Sequence, residues 1–404
     1  MKASSEDYNN EIRIALIGAG ARGKVLYRAA LKHIDGINLV ALCDIDTENQ
    51  EKLIKEIEND GKFSPKIYND FKTCIDEIKP DVAIIATKWE THIDFSIYAM
   101  EHGTAVACEV GGSYDLNKLW ELVRCYQRTK TPIMLMENCC YGQTELLALE
   151  MKRRGLLGTI VNCEGGYRHD LRAEMAKNPK HYRIYEYMNH NCENYPTHEI
   201  GPIAKLLDIN CGNRFTSLVS VASSSHGLKE YVKEENIEWL NNVEFMQGDI
   251  ITTVLKCANG ETVTMTLDTT LPRYYSRGFS VHGTKGMICE ENRSVFLEND
   301  FPGEHFDWKN NFNNIDSYYE KYNHRLWKNY HPGLEGHGGM DFLTFSAFFE
   351  ALKNKEPMPI NVYDMATWMA ITALSMESIL NNKEVDFPDF TEGKWLTTKN
   401  DFEL

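Results

Sequence analysis

His198 and Tyr167 are the side chains whose type and setting best suit proton transfer. His198 lies in Tyr195-Pro196-Thr197-His198-Glu199-Ile200-Gly201-Pro202, at the opening of a helix that continues to Ile209, with Thr197 as the expected N-cap. In a first turn the positive helix end disfavours an imidazolium and leaves the ring able to accept a proton. By residue type alone, capping or packing is the more frequent role for such a histidine. A His-Glu-x-x-His zinc motif is excluded, because position 202 is proline. Tyr167 lies in Gly165-Gly166-Tyr167-Arg168-His169-Asp170, a strand end that could project a phenol and an imidazole into a cleft. Most strand tyrosines simply pack, and use of this one as a base requires a cation nearby, such as Arg183. His324, His331 and His337 lack ligand-like spacing, so no metal is expected. Gly336-His337-Gly338-Gly339 reads as a tight turn before a helix.

A second constellation suits an anion. The apolar run Ile12–Ile17 leads directly into Gly18-Ala19-Gly20-Ala21-Arg22-Gly23, a Gly-x-Gly-x-x-Gly sequence. The first glycine permits a tight turn, the second lets a phosphate approach bare backbone, and the third lets the next helix pack on the strand. A helix from Arg22 to His33 and a strand from Ile37 to Cys43 then lead to Asp44, at the spacing where a carboxylate meets the adenosine ribose. A carboxylate there binds a 2′-hydroxyl and repels a 2′-phosphate, which selects NAD over NADP. Asp46 and Glu48 add negative charge at the same strand end.

These groups must be positioned by the elements around them. Helices Glu48–Glu58, Phe71–Ile78, His92–Glu101 and Asp115–Thr129 alternate with strands Asp81–Thr87, Ala105–Val110 and Ile133–Met136. That alternation predicts an α/β fold, a Rossmann doubly wound parallel sheet over residues 1–140. Thr87–His92, Glu109-Val110-Gly111 and Glu137-Asn138 fall on the rim at the carboxyl ends of its strands. After helix Gln143–Arg154 the pattern changes to strands Ile160–Tyr167, Phe215–Ser223, Asp249–Ala258, Glu261–Thr270 and Phe279–Val281, with a type I′ hairpin expected at Asn259-Gly260. Residues 141–404 are therefore expected to form an α+β domain with a mainly antiparallel sheet. Residues 300–340 read as a long surface segment, Asp341–Lys353 and Val362–Leu380 as helices, and Phe387–Leu404 as a tail over a neighbouring surface.

With 43% hydrophobic and 25% charged residues the composition is that of an ordinary globular protein, and a net charge of −16, offset by no local block of Lys and Arg, argues against nucleic acid or an anionic membrane as partner. A small neutral molecule or glycan end fits better, and a homo-oligomer is expected. No apolar run approaches the roughly 20 residues of a membrane span. The polar first ten residues resemble no signal peptide, and the eleven scattered cysteines suit reduced thiols, so the expected compartment is the cytoplasm unless a leader was trimmed.

The chain resembles glycoside hydrolase family 109, NAD-dependent α-N-acetylgalactosaminidases of the glucose–fructose oxidoreductase-like superfamily. The resemblance runs from Ile12 to Pro388-Asp389-Phe390-Thr391. It is carried by Trp89-Glu90-x-His92, Glu109-Val110, Glu137-Asn138-Cys139-Cys140-Tyr141, Gly165-Gly166-Tyr167-x-His169-Asp170-Leu171-Arg172, Tyr195-Pro196-Thr197-His198, Tyr275-Ser276-Arg277, Gly336–Asp341 and Val362-Tyr363-Asp364. The resemblance implies that Gly18, Gly20, Arg22, Gly23, Asp44, Trp89, His92, Glu109, Val110 and Asn138 hold NAD. It implies that Tyr167, Arg183, Tyr195, His198 and Tyr275 line the sugar site, with Tyr167 and His198 moving protons. The implied chemistry is transient oxidation at C3 of the sugar, removal of the C2 proton, elimination of the aglycone, addition of water and return of the hydride, with retention. Glu199 departs from the glycine that often follows the histidine, and the leader of many members is missing. Sugar or inositol dehydrogenases of the same superfamily carry Glu-Lys-Pro at the rim, with lysine as the catalytic group. This chain has Glu109-Val110-Gly111, and valine cannot move a proton.

Overall fold

The computed structural model describes residues 11–300, 308–330, 336–400 and 402. Strands β1 (Ile12–Ile17), β2 (Ile37–Cys43), β3 (Lys66–Tyr68), β4 (Val82–Ile85), β5 (Ala105–Cys108) and β6 (Ile133–Leu135) pair in parallel in the order β3-β2-β1-β4-β5-β6. The interior strands β4 and β5 are buried at every position, as strands covered on both faces must be. The order reverses between β1 and β4, and the crevice at their carboxyl ends is where a ligand of such a sheet binds. Helices α1 (Ala21–Ala29), α2 (Thr47–Asp60), α3 (Phe71–Ile78), α4 (Trp89–Glu101) and α5 (Leu116–Thr129) connect the strands. The helix expected to reach His33 stops at Ala29 and resumes as a 3-10 turn, Leu31–His33. Asp46 caps α2, accepting from Glu48 N at 3.0 Å and Asn49 N at 3.3 Å.

The second half contains α6 (Gln143–Arg153), β7 (Ile160–Arg168), α7 (Arg172–Ala176), α8 (Arg183–Asn189), α9 (Thr197–Leu206), β8 (Phe215–Ala222), α10 (Gly227–Glu234), β9 (Ile250–Cys257) and β10 (Thr262–Asp268). It continues with β11 (Ser280–Gly283), β12 (Gly286–Cys289), β13 (Ser294–Leu297), α11 (Ile315–Tyr322), α12 (Arg325–Lys328), α13 (Met340–Asn354), α14 (Val362–Asn381) and β14 (Val385–Asp386). Its eight-stranded sheet, β13-β12-β11-β7-β10-β9-β8-β14, is antiparallel except that β7 and β10 run parallel. Strands β12 and β13 escape the sequence because four residues are too few to show a period.

Two expectations are corrected. The Asn259-Gly260 hairpin is not type I′: only Gly260 has positive φ, and its N–H donates to Cys257 O at 3.1 Å, the pattern of a type I turn with a glycine bulge. The described part of residues 300–340 holds two helices, with Ile315 and Tyr318 buried on the face of α11; His331 lies outside the described residues. The described part of the tail does lie over a neighbouring surface, that of its own chain, with Phe390 against Trp120 at a ring-centroid distance of 4.7 Å and Phe402 against Tyr141 at 5.8 Å. The four Gly336–Gly339 residues do form a tight turn ahead of α13.

Helix α9 crosses β7 at Gly165, where a Cβ would lie 3.0 Å from the Glu199 carbonyl oxygen. Glycine at this crossing lets the helix approach closely enough to hold His198 over Tyr167. On its other side α9 is tied to α14 by the buried pair Lys205–Asp364 at 2.5 Å, while the same Asp364 completes the capping box of α14. Helix α14 packs on α5 and β6, and α13 packs on α1. The C-terminal helices thus return to the first sheet and carry Asp341 to its rim. Among the described residues, no helix is long and apolar enough to cross a membrane.

Candidate active site

The glycine loop has the geometry a dinucleotide needs. Gly18 adopts φ +104°, and a Cβ there would meet the Ala86 carbonyl oxygen at 2.4 Å; a Cβ on Gly23 would meet the Gly18 carbonyl oxygen at 2.0 Å. A Cβ on Gly20 would meet nothing within 4 Å, and Gly20 stands at the N-cap of α1 without a capping side chain. First-turn N–H groups are therefore left without a side-chain acceptor beside open space, which fits a pyrophosphate. Asp44, at the end of β2, accepts from Ala19 N at 2.5 Å and Asp46 N at 2.8 Å. It braces the glycine loop from the position expected of a ribose ligand.

Arg22 reaches across the crevice. Its guanidinium donates to Glu109 Oε1 at 2.9 Å, to Asp341 Oδ1 at 2.9 Å and to Asp341 Oδ2 at 3.0 Å. Asn138 Nδ2 donates to the same Asp341 Oδ1 at 2.7 Å, and His337 Nδ1 lies 2.9 Å from Oδ2. Burial alone would raise the Asp341 carboxyl, but His337 and Arg22 outweigh it and hold the group well below the usual carboxylate range. His92 is buried in α4 with Nε2 3.1 Å from the Thr87 carbonyl oxygen, and burial pushes the ring down to about 4. It ties down the rim as a neutral ring. Val110 is buried beside Glu109.

Beyond the rim lies an aromatic pocket. Tyr195 stacks on Trp89 with centroids 5.4 Å apart and sits 4.5 Å from Tyr167 and 4.9 Å from His198. The Arg183 guanidinium lies 4.5 Å from the Tyr195 ring centroid and 5.1 Å from that of Trp89, and donates to the Tyr167 hydroxyl at 3.4 Å. Arg183 has no carboxylate within ion-pair distance among the described residues. His198 Nδ1 is 2.7 Å from Glu137 Oε1 and 2.9 Å from Oε2, and its Nε2 lies 3.5 Å from the Tyr195 hydroxyl. Glu137 is fully buried; desolvation would raise its carboxyl, but the neighbouring His198 brings it net below the usual value. Tyr275 stands half-exposed at the mouth, its ring 5.3 Å from that of His169.

The structure thus brings Tyr167, Arg183, Tyr195 and His198 together, with Tyr275 at the edge. Trp89, expected at the nucleotide, also forms a wall of this pocket. Thr197 is not the N-cap: Pro196 holds that position, and Thr197 is the first helical residue, which still leaves His198 in the first turn. Two contributors are absent from the expected catalytic, cofactor and sugar residues, although the sequence places Glu137 on the rim and the His169 imidazole at a cleft. Glu137 fixes the His198 ring from 61 residues away, and His169 places Nδ1 3.5 Å from the Tyr167 hydroxyl. Glu137 is on the rim by strand position, a signal that could have identified it. Glu137, Cys139 and His198 bring three potential metal ligands within 4.8 Å, but Glu137 already accepts from Cys139 N at 3.0 Å and pairs with His198, so hydrogen bonds account for the cluster.

Residues 12–135 match the NAD-binding Rossmann fold of the oxidoreductase family, and residues 141–397 match the C-terminal domain of glycosyl hydrolase 109. A glycosyl hydrolase family 109 protein of Stenotrophomonas maltophilia is 39% identical, over 96% of this chain and 91% of that protein. An alpha-N-acetylgalactosaminidase of Tannerella forsythia is 36% identical, over 97% and 89%. Among solved structures, levoglucosan dehydrogenase in complex with NADH superposes with a TM-score of 0.73 at 19% identity, over 94% of this chain and all of that one. The myo-inositol 2-dehydrogenase of Lactobacillus plantarum gives 0.66 at 17%, over 94% and 100%, a likeness of fold. A glycine loop shaped for NAD, followed by residues 141–397 that match the C-terminal domain of a glycosidase family, places the chain in glycosyl hydrolase family 109, as an NAD-dependent glycoside hydrolase.

Proposed function

We propose that the enzyme releases terminal α-linked N-acetylgalactosamine with retention, using Tyr167 and His198 for proton transfer. The observation that supports this reading is the facing pair itself, with ring centroids 5.6 Å apart in one aromatic pocket, a buried carboxylate behind the histidine and a guanidinium beside the phenol. NAD, which the glycine loop and Asp44 would hold, would supply a hydride acceptor and donor for C3 of the sugar. His198 Nε2, the ring nitrogen that Glu137 leaves available, takes the proton of the 3-hydroxyl, and Glu137 stabilises the imidazolium. Tyr167 removes the C2 proton once C3 is a carbonyl; the Arg183 guanidinium donates to its hydroxyl oxygen at 3.4 Å and orients it. The aglycone leaves by elimination, and water adds to the same face.

Aryl α-N-acetylgalactosaminide tests the activity: aryl release without net NADH supports it, and accumulating NADH supports a dehydrogenase instead. Turnover in D₂O tests the mechanism by placing deuterium at C2 of the released sugar. A direct displacement by two carboxylates leaves that bond untouched, so unlabelled product would count against elimination. In the same reading, Gly18, Gly20, Arg22, Gly23, Asp44, Trp89, His92, Glu109, Val110 and Asn138 form or brace the NAD site, and Tyr195 and Tyr275 line the sugar site. The chain divides into domains 1–140 and 141–404, acts in the cytoplasm, and assembles with copies of itself, which light scattering tests.

A further inference from the structure

We propose that Glu193 and Glu199 share one proton as a carboxyl–carboxylate pair, and that this pair positions Tyr167, Tyr195 and His198. The inference rests on the use of those three residues proposed above. Both side chains are buried, at 0% and 1% exposure, and their carboxyl groups lie beside each other. Glu193 Oε1 accepts from Tyr195 N at 3.4 Å, and Glu199 Oε2 accepts from Thr266 N at 3.1 Å. The other oxygens, Glu193 Oε2 and Glu199 Oε1, are buried and receive no donor among the described residues. Two ionised carboxylates cannot bond to each other, because both only accept; a proton between them satisfies one orphan oxygen with the other.

The pair lies where three segments of the pocket meet. Glu199 follows His198 on α9 and reaches Thr266 on β10, the strand paired with β7, where Thr266 stands opposite Gly166 and Leu267 opposite Tyr167. Glu193 precedes Tyr195 by two residues, and its own N–H donates to Ser375 Oγ on α14. The groups facing the pair from neighbouring elements are Arg168 and the Tyr167 backbone on β7, Ser375 on α14 and the Cys192 thiol. Arg168 is itself paired with Glu291 at 3.0 Å, and no cation lies within ion-pair distance of either glutamate among the described residues. Burial raises both carboxyl groups, and Glu193 is raised further by its neighbour.

A carboxyl group raised on folding takes up a proton as the chain folds. Its contribution to stability is complete below the ordinary carboxylate range and is lost as pH rises towards the folded value. Deprotonation leaves two like charges between β7 and α9, so melting temperature and kcat should both fall on the alkaline side.

Infrared spectra of the NAD-loaded enzyme in D₂O test the pair directly. The wild type should show the carbonyl stretch of a buried protonated carboxyl at neutral pH and lose it in mild alkali. Glu199→Gln and Glu193→Gln each supply a permanent N–H donor to the remaining carboxylate, so each should lack that band, lose the alkaline fall in melting temperature and lose the alkaline limb of kcat. Where glutamine is not tolerated, Glu193→Asp should keep the band but shift it. A band that is absent from the wild type, or unchanged in all three variants, overturns the proposal, as does an unaltered alkaline melting profile in both glutamine variants. The spectra and melting curves need no turnover, so inactivity towards N-acetylgalactosaminides would remove the proposed function and leave this test standing.

Discussion

The rim at the carboxyl ends of the first sheet and the aromatic pocket lie side by side but use their charges in opposite ways. At the rim, Arg22, Glu109, Asp341 and Asn138 satisfy one another across the crevice, with Arg22 donating to two carboxylates. In the pocket, Arg183 lies against aromatic rings, and His198 is held from behind by Glu137 with its Nε2 3.5 Å from the Tyr195 hydroxyl. The rim fixes the relation of α1 to α13 before any ligand arrives. In the function proposed above, the donors and acceptors of the pocket serve the reacting sugar. A residue removed from the first should therefore cost mainly stability, and a residue removed from the second mainly rate.

The largest effect is expected in the pocket. Losing general acid–base help typically costs about 10²–10⁴-fold in rate, and His198→Ala or Tyr167→Phe should lose that much kcat while keeping NAD bound. Aryl release and NAD content measured on one preparation check both halves, and a variant that loses NAD as well would erase the division drawn here. Normal C2 exchange in Tyr167→Phe would dismiss Tyr167 as the base while keeping the mechanism.

Next comes the rim. Removing one member of a buried ion pair costs about 3–5 kcal/mol, so Asp341→Ala should strongly lower the denaturation midpoint, having left Arg22 without two of its acceptor oxygens. Arg183→Met, which removes only cation–π contacts and one long hydrogen bond, should cost about 0.5–2 kcal/mol of stability yet depress turnover. Equal losses of stability in the two variants would break the comparison.

A smaller effect is expected for Asp44→Ala. The lost hydrogen bonds to a charged group amount to about 1.5–3 kcal/mol, and titration calorimetry should show NAD binding weakened roughly ten- to a hundredfold, with discrimination against NADP reduced. Unchanged affinity would remove Asp44 from the site.

The smallest effect is one of pH. Because the folded Asp341 carboxyl lies below its unfolded value, its contribution is present above the ordinary carboxylate range and is lost as pH falls through the folded value. Melting curves should therefore steepen towards acid in the wild type and flatten in Asp341→Asn. The rim is thus acid-sensitive, and the glutamate pair behind the pocket is alkali-sensitive.

The sequence by itself determined the parallel sheet, the glycine loop, the change to a second sheet after α6, and the motif neighbourhoods of Tyr167 and His198. These are legible because burial repeats along a strand or helix, and because a phosphate turn needs glycine at fixed intervals. Glu199 could be seen only as a departure from a family glycine; its partner Glu193 becomes visible when α9 lies on β7. Only the tertiary structure decided that Glu137 orients His198, that Asp341 holds Arg22, and that the tail covers Trp120 and Tyr141. Such partners stand tens to hundreds of residues apart. No period or spacing encodes them, because which polar groups meet depends on how closely the helices pack, and at α9 on a glycine that lets two backbones approach.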